Sequence, residues 1–117
     1  MNNYKELKVW QKAIEIATEI YKITRTFPKE EQYGIVNQLR RAVSSIACNI
    51  AEGAGRNSEK EFNHFLGISI GSSFETETQL IISRNIDYIS EEQLNSISDK
   101  LSENQKMIRG LQKTLNK

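Results

Sequence analysis

Few side chains in this sequence could carry covalent chemistry. His64 is the single histidine and Cys48 the single cysteine among 117 residues. An all-protein His/Cys metal cluster and an internal disulfide are therefore excluded. His64 lies one turn before Ile68 with no Cys, Asp or Ser constellation beside it, so a packed or capping histidine is expected. Cys48 falls among small residues and is expected to act as a small buried hydrophobe rather than a nucleophile. Glu75 and Glu77 stand two apart, which on a helix turns them about 200° from each other, too divergent to share one substrate bond. Gly53-Ala54-Gly55-Arg56 looks superficially like a phosphate loop, but no strand precedes it and no Gly-Lys-Ser/Thr follows. A helix end is expected there, where Gly53 and Gly55 suit a left-handed residue. Tyr4 and Trp10 could stack on bases, yet Trp10 falls on an apolar seam and is expected in the core. No enzyme, cofactor or metal centre emerges.

What remains is a set of charges in a quiet region. Arg40, Arg41, Glu52 and Arg56 are the only charges of the second helical segment beyond its first turns. Gln38, Arg41, Ser45, Asn49, Glu52 and Arg56 recur at spacings of 3, 4, 4, 3 and 4 and so share one edge of a helix. Glu75 and Glu77 have no basic residue three or four positions away, so local pairing does not explain them. Two chemistries fit. In the first, Arg40 or Arg41 pairs with Glu75 or Glu77 between helices or subunits, with Asn49 and Glu52 on the same assembling edge, because buried charges need partners and bidentate arginine suits them. In the second, Arg40, Arg41 and Arg56, with Lys8 and Lys12 from the first helix, present a phosphate-binding edge repeated around an oligomer.

Four helices near 5–26, 30–54, 59–87 and 91–115 must position these residues. Phe27-Pro28, then Gly53 to Ser58, then Asp87 to Ser90 punctuate the chain. Ser58-Glu59-Lys60-Glu61 and Ser90-Glu91-Glu92-Gln93 read as capping boxes. Helix 1 carries two adjoining seams: Leu7, Trp10, Ile14, Ala17, Tyr21 and Thr24, and beside it Val9, Ala13, Ile16, Ile20, Ile23 and Phe27. Helix 4 has one narrow stripe of Leu94, Ile97, Leu101, Asn104, Ile108, Leu111 and Leu115, and should lie outermost. Helices 2 and 3 differ. Helix 2 buries Ile35, Leu39, Ala42, Val43, Ile46, Ala47 and Ile50, yet its opposite face holds mainly Asn37, Ser44, Ser45, Cys48, Asn49 and Ala51. Helix 3 has no charged residue from Phe62 to Phe74. Phe62, Leu66, Ser69, Ser73 and Leu80 point one way, while Ile70, Phe74, Ile81 and Tyr88 point another. A helix apolar or small all round is usually buried all round. A chain this short cannot bury two helices completely, so a second copy is expected to cover part of them.

Composition bounds the rest. Hydrophobic residues make up 38% and charged residues 26%, as in ordinary folded proteins rather than disordered ones. One proline and six glycines are too few for the turns of an all-β chain. Sixteen basic residues against fifteen acidic ones leave a net charge of +1, so no bulk charge draws the chain to nucleic acid or membrane. No apolar stretch reaches the ~18 residues of a membrane span, and the N-terminus lacks a signal peptide's apolar core. A cytoplasmic protein forming a single domain over residues 1–117 is expected.

The segments LKVWQKAIEIATEIYKIT, FPKEEQYGIVNQLRRAVSSIACNIAEGAGR and EFNHFLGISIGSSFETETQL resemble the 23S rRNA intervening-sequence protein family, also called S23-like. The resemblance runs from Tyr4 to about Leu115. Its most specific parts are Gln38-Leu39-Arg40-Arg41-Ala42, Asn49-Ile50-Ala51-Glu52-Gly53 and the pair Glu75 and Glu77. It implies an all-α, up-down antiparallel four-helix bundle assembling as a homopentameric ring. The chain is also similar in build to the accessory variability determinant of diversity-generating retroelements, a pentameric bundle that binds reverse transcriptase and nucleic acid. Arg40, Arg41, Asn49, Glu52 and Arg56 match the family's motif residues. The expectation is thus a non-enzymatic homo-oligomer whose partners are itself and RNA or a nucleic-acid-processing protein. The alternative is a protein-interaction scaffold without nucleic-acid binding.

Overall fold

The computed structural model describes residues 3–115. Its helices are α1 (Lys8–Thr24), α2 (Ile35–Ala54), α3 (Glu59–Asn85) and α4 (Glu91–Leu115), and no strand occurs among the described residues. They pack as a bundle 45 × 24 × 20 Å. The all-α four-helix expectation holds.

Helix ends differ from expectation where the backbone offers a competing local structure. Helix 1 does not begin at residue 5. Asn3 Oδ1 accepts from the Lys5 amide and caps a 3-10 turn, Tyr4–Glu6, and Leu7 is extended before α1 starts. Helix 2 does not begin at residue 30 either. After Pro28, a 3-10 turn (Lys29–Glu31) is followed by Gly34 at φ −105°, ψ −116°, outside helical geometry, and only then by α2. At α4 the capping box is complete: the Gln93 amide donates to Ser90 Oγ at 3.1 Å and the Ser90 amide to Gln93 Oε1 at 2.8 Å. At α3 only the forward half forms, the Glu61 amide donating to Ser58 Oγ at 3.1 Å.

The glycines near residue 54 are not left-handed. Gly55 caps α2 at φ −85°, and Gly53 lies buried inside α2. A Cβ on Gly53 would meet Phe65 Cβ at 2.8 Å and Phe62 Cδ1 at 2.9 Å, so this glycine exists for close approach of α3. The left-handed cap occurs instead at Asp87, φ 65°, after α3. The Tyr88 amide donates to Ser83 O at 2.8 Å and the Asp87 amide to Arg84 O at 3.0 Å, the two bonds of a Schellman motif. Glycine takes this conformation without a Cβ penalty. Asp87→Gly relieves that penalty of about 1 kcal/mol but gives up the Arg84–Asp87 ion pair at 3.1 Å and frees the unfolded chain, so the melting midpoint is expected to stay within about 3 °C of wild type. A larger shift in either direction would contradict this.

One core runs the length of the bundle: Val9, Ala13, Ile16 and Ile20 of α1, Leu39, Val43, Ile46 and Ile50 of α2, Leu66 and Leu80 of α3, and Ile97, Leu101 and Ile108 of α4. Of the two seams read on helix 1, the second forms the core, while Ile14 and Tyr21 of the first are exposed. Trp10 packs against the core's edge, its ring meeting Tyr4 edge-on at 5.3 Å. Asn104, fully buried in the stripe of α4, donates to Val9 O at 3.1 Å and ties α4 to the start of α1. The α1–α4 seam is also bridged by Lys100–Glu19 at 2.9 Å and Lys12–Glu103 at 3.3 Å. The hydrogen bond to Glu19 holds the Lys100 ammonium above its ordinary value, outweighing desolvation. A raised lysine stabilises the fold fully below the ordinary lysine value, 10.5, and loses its effect only as pH rises past it, so this contribution is intact at neutral pH.

Helix α3 departs most from an ordinary amphipathic helix. Its buried side includes Ser69, Ser72, Ser73, Thr76 and Ser83. These hydroxyls are all bonded: Ser69 donates to Ile46 O, Ser72 to Ser45 Oγ, Thr76 to Ser72 O and Ser83 to Gln79 O, and Ser73 Oγ accepts from Gln105. Small, satisfied side chains let α2 and α3 form the most extensive pairing of the bundle. Meanwhile Ile68, Phe74, Ile81, Ile82 and Ile86 are exposed. Hydroxyls share the inside with Phe62, Leu66, Ile70 and Leu80, while a second apolar set faces outward. The expected opposition of Phe74 and Ile81 to the Phe62–Leu80 side holds, but Ile70, placed with them, is buried.

Candidate functional site

The edge read along helix 2 is present as a row of side chains on the outside of α2. Asn49 Nδ2 donates to Ser45 O and Ser45 Oγ, both at 2.8 Å, turning back onto its own helix. Glu52 and Arg56 pair with each other at 2.9 Å, one turn apart, and the Arg56 guanidinium lies 4.8 Å from the centre of the Phe65 ring. Arg41 is exposed and makes no ion pair among the described residues.

Arg40 points elsewhere. Its Nε donates to Thr24 Oγ1 at 2.9 Å, its Nη2 to Tyr21 O at 3.2 Å, and its guanidinium lies 4.7 Å from the centre of the Tyr21 ring. Residues 40 and 41 are 100° apart on the helix, so one is carried toward α1 while the other stays outside. Glu75 is exposed and Glu77 half-buried, and neither forms an ion pair with a basic side chain among the described residues. Within one subunit the expected Arg40 or Arg41 pairs with Glu75 or Glu77 do not form. Arg40 is bound to the far side of α2 from α3.

The five basic residues expected to share a phosphate edge are also not brought together. Lys8 and Lys12 lie on the first turns of α1, whereas Arg40 meets Thr24 at its other end. At 1.5 Å per residue, Lys8 and Thr24 are separated by about 24 Å along the axis. Lys12 is occupied by Glu103, and Arg56 by Glu52. Arg40 has other basic company. Arg25, Lys29 and Arg40 line one cleft between the end of α1 and the start of α2. Sequence reading missed Arg25 and Lys29, because Pro28 between them breaks the helical spacing that gives a residue its direction.

Neither reactive candidate is enclosed. Cys48 is exposed on the outer face of α2, so its expected burial is corrected for the single subunit. The small residues around it form a surface rather than a core. His64 is exposed too, its ring 5.5 Å from that of its neighbour Phe65. Among the described residues no group of three or more His, Cys, Asp or Glu is placed to hold a metal ion, and no helix is long and apolar enough to cross a membrane.

The sequence model of the 23S rRNA-intervening sequence proteins matches residues 5–110. The chain belongs to that family. A solved structure of a protein of unknown function from the S23 ribosomal protein family of Bacteroides thetaiotaomicron superimposes with a TM-score of 0.83 at 28% identity, covering 90% of this chain and 95% of that one. No curated protein matches. The resemblance read from the arginine, asparagine and glutamate tracts is thus borne out, and with it the fold. Neither the family nor the solved neighbour carries an enzymatic designation.

Proposed function

We propose that this family member is a non-enzymatic homo-oligomer, pentameric as its resemblance implies, serving as a cytoplasmic nucleic-acid or nucleoprotein accessory. The observation that carries the assembly is the second apolar set on the outside of α3. Ile68, Phe74, Ile81 and Ile82 stand exposed on α3, with Ile86 just past its end, while five of its six Ser and Thr residues are buried. A monomer gains nothing from that arrangement, whereas a second copy covering the outer face removes the apolar surface from water. The adjoining outer face of α2 sets the small residues Ser44, Ser45 and Cys48 beside the charges Arg41 and Glu52, and offers a different surface to pack against it. Contacts between two unlike faces are heterologous, and they form a ring where the rotation between copies closes. Ring formation then multiplies the carboxylate-free cations Lys8, Arg40 and Arg41 beyond what a net charge of +1 suggests.

A second reading has its own support. Arg41 and Glu75 are both exposed and unpaired among the described residues, on the adjoining outer faces of α2 and α3. As partners across a subunit contact they would close the ring of a scaffold that binds protein only. Arg41→Ala separates the two. Sedimentation equilibrium at low and high salt, followed by oligonucleotide binding, is the measurement. An intact oligomer whose affinity for RNA falls steeply with salt and drops in the variant supports the accessory. Dissociation of the oligomer in the variant supports the scaffold. A salt-independent monomer for wild type would remove both.

A further inference from the structure

The cleft between α1 and α2 sets Arg40 beside two cations, Arg25 and Lys29, that neither assembly nor the edge of α2 uses. Arg25, Lys29 and Arg40 line it together with Thr24, Gln32 and the apolar walls of Phe27, Pro28 and Val36, around a cavity of about 170 Å³. No carboxylate lines it. Glu30 and Glu31 follow Lys29 in the chain, but neither is part of the wall, and Glu31 accepts a hydrogen bond from Tyr88 at 2.7 Å. None of the three cations forms an ion pair among the described residues. The C-terminus of α1 attracts positive charge, but it presents only about half a negative charge, against three cations. The excess is unexplained within the subunit.

Arg40 is prepared rather than merely nearby. Thr24 holds Nε, the Tyr21 carbonyl holds Nη2, and the Tyr21 ring lies under the guanidinium, so its orientation is fixed before anything binds. Nη1 has no protein acceptor among the described residues. A planar donor so fixed, with two further cations and the Gln32 amide on the same wall, matches a tetrahedral oxyanion. The cavity is smaller than the ~300–1,000 Å³ of sites that enclose a whole small molecule, so it fits a single charged group.

The geometry points to a phosphate-monoester site formed by Arg25, Lys29, Gln32 and Arg40, which takes a dianionic phosphate either free in solution or at the end of a nucleic-acid strand. Three cations favour a dianion over the single charge of a phosphodiester. The site does not depend on the nucleic-acid reading above, since a free phosphate satisfies the same groups.

Its test is a titration of the intact protein with inorganic phosphate, followed by NMR of the arginine Nε–H and glutamine side-chain signals. The expected result is saturable shifts confined to Arg25, Gln32 and Arg40, lost in Arg40→Gln. Because Arg40 also bonds α1, Arg25→Gln and Lys29→Gln, at exposed positions, serve as variants whose melting should match wild type, each weakening phosphate several-fold. A 5′-phosphorylated oligonucleotide binding about tenfold tighter than its 5′-hydroxyl twin would assign the strand end as source. Equal binding of the two, with saturable inorganic phosphate, assigns the free ion. Shifts that never saturate, or that persist unchanged in all three variants, overturn the site, whatever the oligomer does with RNA.

Discussion

In the proposed assembly, aspartate at both Phe74 and Ile82 is expected to leave a folded monomer. These side chains are 49% and 42% exposed in the subunit, so the double substitution removes little from its core and should leave the subunit's helicity and thermal melt close to wild type. In an assembly covering α3 both positions would be buried. Each substitution then loses about 1.5–3 kcal/mol of apolar burial and adds a carboxylate whose desolvation costs several more. The combined loss, on the order of 6 kcal/mol, weakens association by about ten-thousandfold, with 1.4 kcal/mol per factor of ten. A variant with the mass of wild type would show that the exposed face of α3 is not an interface. Gly71→Ala is a finer probe of the same face. A Cβ there meets nothing within 4 Å in the subunit, so alanine should stabilise an isolated subunit through helix propensity. Weaker association in that variant would place a neighbouring copy close against Gly71.

Gly53→Val carries the largest expected effect on the subunit itself. The new Cβ would lie 2.8 Å from Phe65 Cβ and 2.9 Å from a carbon of the buried Phe62 ring. Phe65 Cβ is fixed to its backbone and cannot swing away, so α2 and α3 must separate along their most extensive contact. Overpacking of this kind costs about 1–3 kcal/mol, and a β-branched residue recovers little helix propensity over glycine. Separation also strains the Ser69–Ile46 and Ser72–Ser45 hydrogen bonds nearby. A loss of about 3 kcal/mol is expected, read as a fall of roughly 10 °C in the melting midpoint. Gly53→Ala should lie between, because its propensity gain offsets part of the clash. An unchanged midpoint for the valine variant would mean that the close approach at Gly53 is not what holds α2 and α3 together.

The four helices, their caps at Ser58 and Ser90, and the core rows of α1, α2 and α4 were legible in the sequence. Helical periodicity and capping depend on neighbours within a turn or two. The same locality explains the errors. Gly53 carries the residue type of a helix end, but its reason lies on α3 in Phe62 and Phe65, which no local pattern connects to it. Arg40 and Arg41 look interchangeable, yet 100° of rotation sends one to Thr24 and Tyr21 of α1 and leaves the other outside. Cys48 was placed inside because its neighbours are small, and smallness alone does not distinguish a core from an uncharged surface.

Sequence alone therefore determined the all-helical chain, its family, and the abnormal lack of charge on helices 2 and 3. Tertiary structure decided which way that abnormality faces. Buried hydroxyls on α3 find hydrogen-bond partners in α2, α4 and the preceding turn, which makes a partly polar inner face tolerable and leaves Ile68, Phe74, Ile81 and Ile82 outside. It also decided which cations remain free, since ion pairing depends on distances of a few ångströms between residues far apart in the chain. Lys12 finds Glu103, Arg56 finds Glu52, and Arg25, Lys29 and Arg40 converge on a cleft where no carboxylate reaches them.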